Sequence, residues 1–395
     1  MTPARREKLK ILAGLMKKQN GSSLPIIGPL LDCIDLVVTP DETEFLIRLG
    51  KEGPVTYEEA LALADKPAEE FRGFFDTLLN KGLIWPRHFD PDENRFVLAP
   101  MVVGWFELQL CGGGETAREK AFARCLERLV ESWKRYNVFP LRNLQNYYFL
   151  KKGTPSQSIS TVAPRTRSET ARKIEVKKKI TLPPDRIYTG DSIRNLIEKH
   201  GSKGDIALMH CFCRQWRKMV DDVCQFELPA ESCITIGPVT HFIVRYGFGR
   251  FVSKQEAIAV IDETRNAGAV QIVFHEKDDI HMPEIGICNC CPDCCGLLGS
   301  YNRGAIPLLF KSGYMAQVTN REGCVGCGQC EAFCPVHAVS LRDDRAIFNG
   351  AKCIGCGQCA DRCPEEIIRM QPDERVVRLP LLKKPEQRFH QNAFN

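Results

Sequence analysis

No stretch of this 395-residue sequence approaches the roughly 20 apolar residues that a membrane-spanning helix needs. The N-terminus, MTPARREKLKILAGLMKKQN, is basic, but its apolar run stops after residue 16, before Lys17 and Lys18. That is too short for a signal-peptide core, and the pair Arg5–Arg6 lacks the hydrophobic stretch of a twin-arginine signal. The sequence also lacks a GxGxxG fingerprint after a strand, a phosphate loop ending in Gly-Lys-Ser/Thr, an HExxH zinc motif and a usable Ser-His-Asp order. Conventional dinucleotide, nucleotide and hydrolase chemistries are therefore set aside. Cysteine is scarce at first: of 20 in all, only Cys33, Cys111 and Cys125 precede residue 211. The total is below the density of a small disulfide scaffold, so the expectation is a cytoplasmic protein with reduced thiols. Apolar content of 44% and charge of 26% are ordinary, and the length allows two or three domains. The fold class expected is α+β multidomain.

Residues 1–38 read as an N-terminal arm. Thr39-Pro-Asp-Glu42 is then a capping-box signal with proline at the first helical position, followed by Phe45, Leu46 and Leu49. Gly53-Pro54 breaks this helix, Tyr57 to Ala64 reads as a second, and a third starts at Pro67. The third has Phe71, Phe74, Phe75, Leu78 and Leu79 at helical spacing and ends at Gly82. LIWPRHFDPDENRFVLAP reads as strand, turn, strand. Three helices and a hairpin resemble a winged-helix domain, here residues 39–105. The resemblance implies DNA binding, but the third helix sets Arg72 and Lys81 against Glu69, Glu70 and Asp76. Duplex binding needs several phosphate-neutralising cations, so a protein-contact or packing role is the expectation.

Residues 106–150 contain a strong amphipathic helix over 115–135, with Phe122, Cys125, Leu126, Leu129, Val130 and Trp133 on one face. Cys125 reads as a small buried hydrophobe, Cys33 and Cys111 as structural, and Cys111-Gly-Gly-Gly114 as a flexible turn. Residues 151–181 hold nine Lys or Arg against two Glu, a net +7 in a chain of net +5, so the remainder sums to −2. Residues 151–185 are read as an exposed basic linker, alternatively as a docking strip for an acidic redox partner or nucleic acid. From residue 186 to 283 the pattern is that of a small α/β unit: a helix from Asp191 or Ser192 to His200, a strand DIALMH, a capping box Ser253-x-x-Glu256 and a strand AVQIVFH.

The strongest signal is an internal repeat of period 29: CVGCGQCEAFCPVHAV from Cys324 and CIGCGQCADRCPEEII from Cys353. Each is C-x2-C-x2-C-x3-C-P, the bacterial ferredoxin spacing, in which the fourth cysteine serves the other cluster. Cys324, Cys327, Cys330 and Cys363 are thus expected to hold one [4Fe–4S] cube, and Cys353, Cys356, Cys359 and Cys334 the second. Gly326, Gly328, Gly355 and Gly357 permit the tight turns and let N–H groups approach the sulfurs. Residues 316–372 resemble a two-cluster bacterial ferredoxin domain at every ligand position, which implies one-electron transfer, and 373–395 form a tail.

Nine more cysteines lie upstream: Cys211, Cys213, Cys224, Cys233, and the five of GICNCCPDCCG, namely Cys288, Cys290, Cys291, Cys294 and Cys295. HCFCR ends a predicted strand, and Arg214 offers positive charge to a thiolate-bound cluster. GICNCCPDCCG falls between predicted elements, where irregular backbone can wrap a cofactor. Disulfides are disfavoured because adjacent cysteines bridge poorly. A structural zinc would use four thiols and leave five; one or two further iron–sulfur clusters fit better. The expected metal ligands are Cys211, Cys213, Cys288, Cys290, Cys291 and Cys294, with Cys224, Cys233 and Cys295 as alternates. HCFCR, a CNCC-type run and a tandem ferredoxin together are similar to a family of ferredoxin-type iron–sulfur proteins of anaerobic prokaryotes, over residues 186–372.

The leading expectation is an electron-transfer protein that serves as subunit or partner of an anaerobic redox enzyme. It would pass electrons through two [4Fe–4S] clusters and at least one further cluster in a Cys-rich domain, residues 186–315. Its partner would be a redox protein or enzyme subunit, not nucleic acid. The alternatives are an oxidoreductase with chemistry at the upstream cluster, for which His210, His241, His275 and His281 are candidate ligands or proton donors, and a winged-helix redox sensor.

Overall fold

A computed structural model describes residues 1–19, 25–89, 94–135, 190–275 and 284–382, together with Asn143, Asn146, Tyr147, Leu150, Ser158 and Ile159. The basic stretch 151–181, apart from Ser158 and Ile159, His281 and the end of the tail lie outside the described residues. Among the described residues no helix is long and apolar enough to cross a membrane.

The expected N-terminal arm is two helices, α1 (Pro3–Lys18) and α2 (Gly28–Asp35). Leu9, Leu12, Ala13 and Met16 of α1 recur at i, i+3, i+4, i+7 and are fully buried, which is the reason this basic segment is not an arm. Arg5 is an internal tie: Nε donates to Asp35 Oδ1 at 2.7 Å, Nη1 to Thr43 Oγ1 at 2.6 Å and Nη2 to the Val38 carbonyl at 2.6 Å. Next come α3 (Pro40–Glu52), α4 (Tyr57–Leu63) and α5 (Ala68–Asn80), then β1 (Ile84–Pro86) antiparallel to β2 (Phe96–Leu98), with Val55 bridged to Phe96. The capping box at Thr39 forms, with Thr39 N–H donating to Glu42 Oε2 at 2.8 Å and Glu42 N–H to Thr39 Oγ1 at 3.2 Å. Helix α6 (Ala117–Arg135) buries Phe122, Cys125, Leu126, Leu129 and Val130, as its periodicity predicts.

The remainder is organised by one eight-stranded sheet. Its strands are β3 (Ser158–Ile159), β4 (Ile206–His210), β5 (Glu231–Ile236), β6 (Arg250–Phe251), β7 (Val270–His275), β8 (Glu284–Cys290), β9 (Leu308–Val318) and β12 (Ile368–Leu379). The order is β12-β9-β3-β7-β8-β5-β4-β6, and every pairing is antiparallel except β3 with β9. Two residues of the stretch read as a linker are thus a strand joining the upstream sheet to the C-terminal ribbon. Alternation along β4 divides two cores. Ile206 and Leu208 pack with Ile193, Ile197 and Ile261 of helices α7 (Gly190–Gly201) and α10 (Lys254–Asn266). Ala207 and Met209 face the opposite way, into the core shared with the N-terminal helices, Trp216 of α8 (Phe212–Met219) and Phe242 of α9 (Val239–Arg245). The β1–β2 hairpin packs there: Trp85 and Phe89 lie 6.2 and 5.7 Å from the Phe242 ring.

Candidate metal centres

The two cysteine repeats hang between β9 and β12. Each starts with a loop carrying two cysteines and places the third on a short helix, Gln329–Ala332 or Gln358–Asp361, with a hairpin of β10 (Val339–Arg342) and β11 (Arg345–Phe348) between them. The backbone comes so close to its surroundings that side chains are excluded. A Cβ on Gly355, at φ +72°, would lie 2.3 Å from the Tyr314 carbonyl oxygen, and one on Gly326, at φ +68°, 2.7 Å from that of Asp344. Backbone N–H groups point at sulfur: Ala338 to Cys334 Sγ at 3.1 Å, Ala316 to Cys353 Sγ and Ala346 to Cys324 Sγ at 3.5 Å.

Cys334, from the first repeat, lies within electrostatic reach of Cys353, Cys356 and Cys359, while Cys330 feels Cys324 and Cys327 and also reaches Cys359. Burial pushes the Cys330 thiol up to about 11 and Cys356 up to about 12. Such thiols stay protonated at neutral pH unless a metal takes the proton's place. The repeats differ in exposure: Cys327 is exposed and Val325 62% so, whereas Cys353, Cys356 and Cys359 are buried.

Comparison with known families decides what these loops are. Residues 316–368 match the family model described as the 4Fe-4S dicluster domain. The chain carries a dicluster domain. No curated protein and no solved structure matches the chain. The match falls within residues 316–372, where the repeat was read, and makes this an iron–sulfur protein of ferredoxin type. The dicluster domain is fixed to the upstream sheet through its second, buried repeat. Gln358, fully buried, donates from Nε2 to the Ala269 carbonyl at 2.6 Å; Arg362 Nη2 donates to the Asn266 carbonyl at 2.6 Å; Arg265 pairs with Asp361.

The nine upstream thiols divide into two groups. Six form a closed ring, each adjacent to and coupled with two others, in the order Cys211, Cys213, Cys295, Cys290, Cys288, Cys233 and back to Cys211. Acceptors and donors alternate. Contacts with donor thiols hold Cys211 and Cys295 well below the usual thiol range and Cys288 at about 6, while Cys213, Cys233 and Cys290 go well above it. The second group is Cys224, Cys291 and Cys294, with Cys224 to Cys291 at 3.5 Å and Cys291 to Cys294 at 3.0 Å. Accepting from both partners, Cys224 is lowered to about 3.

Sheet geometry explains the division. GICNCC is not irregular backbone up to Cys290: Glu284–Cys290 is a central strand between β5 and β7, and only Cys291–Gly296 leaves the sheet. Cys288 and Cys290 share a face at i, i+2, and Cys288 sits in register with Cys233 on β5. Cys291, one residue on, turns to the other side. Cys211 caps α8 and Cys213 lies in its first turn, which brings both thiols to the end of β4 beside the sheet. Of the six expected ligands, Cys211, Cys213, Cys288 and Cys290 meet in the ring, joined by the alternates Cys233 and Cys295. Cys291 and Cys294 meet the alternate Cys224 instead.

Arg214 serves both groups. Its guanidinium is in electrostatic contact with Cys211, Cys294, Cys291 and Cys224, and Nη1 donates to Ser232 Oγ at 2.8 Å. Its Nε and Nη2 are sealed from solvent with no hydrogen-bond partner. Cys111, read as merely structural, lies within electrostatic reach of Cys211 and Cys288. Its Gly-Gly-Gly turn is pinned: Gln215 Nε2 donates to the carbonyls of Gly113 and Gly114 at 3.2 and 3.1 Å, and a Cβ on Gly113 would meet the His210 ring at 2.4 Å. The run of glycines after a cysteine was the only sequence signal for this approach. His241 is engaged with Asp205 at 2.9 Å, and among the described residues no histidine joins the three-thiol group.

Proposed function

We propose that the protein carries single electrons between a redox partner and an upstream iron–sulfur centre, through two [4Fe–4S] clusters in series. Cys324, Cys327, Cys330 and Cys363 hold the outer cluster; Cys353, Cys356, Cys359 and Cys334 hold the inner one. A further cluster draws its ligands from the six-thiol ring. The observation that carries this reading is a continuous core. Cys290 and Cys295 of the ring pack in the same buried cluster as Cys330, Cys334, Cys353, Cys356 and Cys359. Electrons tunnel best between centres joined by packed protein without intervening solvent, and this core supplies such a medium. The exposed Cys327 and Val325 give the outer cluster its contact with a partner, a redox protein or enzyme subunit.

The bound clusters supply the one-electron chemistry. The chain's own part is to donate N–H groups to sulfur and place Arg214 and Arg265 beside the anionic centres, which favours the reduced state, and to exclude water, which opposes it and keeps the potential low. A reducing compartment, the cytoplasm, keeps the thiols available to metal. Residues 39–105 act as a winged-helix-like module that contacts protein. In support, its hairpin rests on Phe242, and Lys81, which caps the third helix, is taken up by buried Glu42 at 2.7 and 2.8 Å. The test is EPR of the reduced full-length protein. Cys288→Ser should remove a third signal and leave two coupled [4Fe–4S] signals; unchanged spectra would end the relay reading.

A further inference from the structure

We propose that Cys224, Cys291 and Cys294 bind a single soft divalent cation of the zinc class, separate from every iron–sulfur centre, with the fourth coordination position left to a donor from outside the protein. The three sulfurs lie within 4.8 Å of one another, and two of the separations are 3.5 and 3.0 Å. Tetrahedral thiolates at about 2.3 Å from one zinc sit a little under 4 Å apart. A four-iron cube spreads its thiolates farther, because each binds a different iron. The dicluster domain is an internal control. Among the described residues no other set of three His, Cys, Asp or Glu side chains comes so close together, so neither its cysteines nor any three of the ring show this spacing.

The surroundings fit a small charged centre held rigidly. The Cys294 N–H donates to Cys291 Sγ at 3.2 Å, and the Gln225 N–H to Asp293 Oδ2 at 2.9 Å, which ties the Cys224 loop to the Cys291–Cys294 turn. Asn302 Nδ2 holds the Pro292 carbonyl at 2.9 Å. Three thiolates and one divalent cation leave a net charge of −1, and the unpaired guanidinium nitrogens of Arg214 face that charge from within the protein. Thiolate ligands select zinc-like ions over hard cations. Among the described residues there is no fourth protein donor in the group, and the site lies just beneath the surface: Cys224, at 8% the least buried of the three thiols, adjoins Val223, which is 67% exposed. Open coordination of this kind belongs to reactive rather than structural zinc. The ligand expected there is water or a small thiol.

The proposal stands beside the relay reading, and metal analysis separates their failures. Full-length protein purified anaerobically should carry one zinc per chain in addition to its iron. X-ray absorption at the zinc edge should show three sulfurs at about 2.3 Å and one lighter neighbour. Four sulfurs, or a nearby iron, would overturn the proposal without any variant. Cys294→Ser should lose the zinc with iron, sulfide and the dicluster EPR signals unchanged, the last showing that the fold persists. Retained zinc, or the loss of a cluster's worth of iron, would refute it. After cobalt exchange, 2-mercaptoethanol should shift the thiolate-to-cobalt bands and His281→Ala should not; the reverse outcomes would show that the chain closes the site itself. Arg214→Gln should weaken retention against a chelator about tenfold or more, as loss of an outer partner does at metal sites.

Discussion

Replacing Gly355 by alanine separates two costs that a cluster loop imposes. Gly355 and Gly328 both lie at positive φ, +72° and +76°. A side chain in that region costs roughly 1–2 kcal/mol at either position. Only Gly355 also meets an obstacle: its Cβ would lie 2.3 Å from the Tyr314 carbonyl oxygen and 2.5 Å from Ser312 Oγ, whereas the nearest atom at Gly328 is Leu341 Cδ1 at 3.8 Å. Tyr314 and Ser312 belong to β9, which is paired on both sides, and Ser312 Oγ donates to the carbonyls of Tyr314 and Ile354 at 2.9 and 3.0 Å. The strand cannot withdraw cheaply, and such overpacking adds about 1–3 kcal/mol. Iron release from the anaerobic protein to a ferrous chelator reads the difference, because the rate follows the population of the opened domain. Gly328→Ala should release iron roughly tenfold faster than the parent, and Gly355→Ala about a further 30-fold faster, a step of about 2 kcal/mol. Equal rates for the two variants would refute the close approach of this loop to β9.

Cys334→Ser should damage the cluster of the second repeat, not the first, and Mössbauer or EPR spectra of the remaining cluster will show which survives. Arg265 pairs with Asp361 and sits in electrostatic contact with Cys356. Arg265→Gln should therefore lower the inner cluster's potential, by about 40 mV for each 1 kcal/mol of lost attraction, since a one-electron couple moves 59 mV per tenfold; a redox titration checks it. The full-length protein should show no submicromolar, salt-dependent binding to duplex DNA in a gel shift, because Lys81 is already paired with Glu42.

Local signals carried far into the fold. The Thr39 capping box, the apolar stripes of α5 and α6 and the β4 and β7 strands all have local causes and were legible. The dicluster domain was legible because its ligand spacing repeats. What was not legible depends on partners distant in sequence. α1 is helical in its own pattern, but only burial against α3 shows that it is no arm. Glu284–Cys290 looked irregular because its alternation is masked by cysteines on the inner face, and its place in the sheet is set by β5 and β7. The division of nine thiols into six and three follows from that register: Cys233 meets Cys288 across 55 residues, and Cys224 meets Cys291 across 67. No spacing within GICNCCPDCCG reveals those pairings.

Iron and acid-labile sulfide per chain, measured on full-length protein purified without oxygen, test the central claim most directly. The relay account predicts about twelve of each, eight from the dicluster pair and four from a cluster in the ring. About eight of each would confine the iron to the dicluster domain and contradict the upstream centre, and about four or fewer would contradict the cluster pair itself.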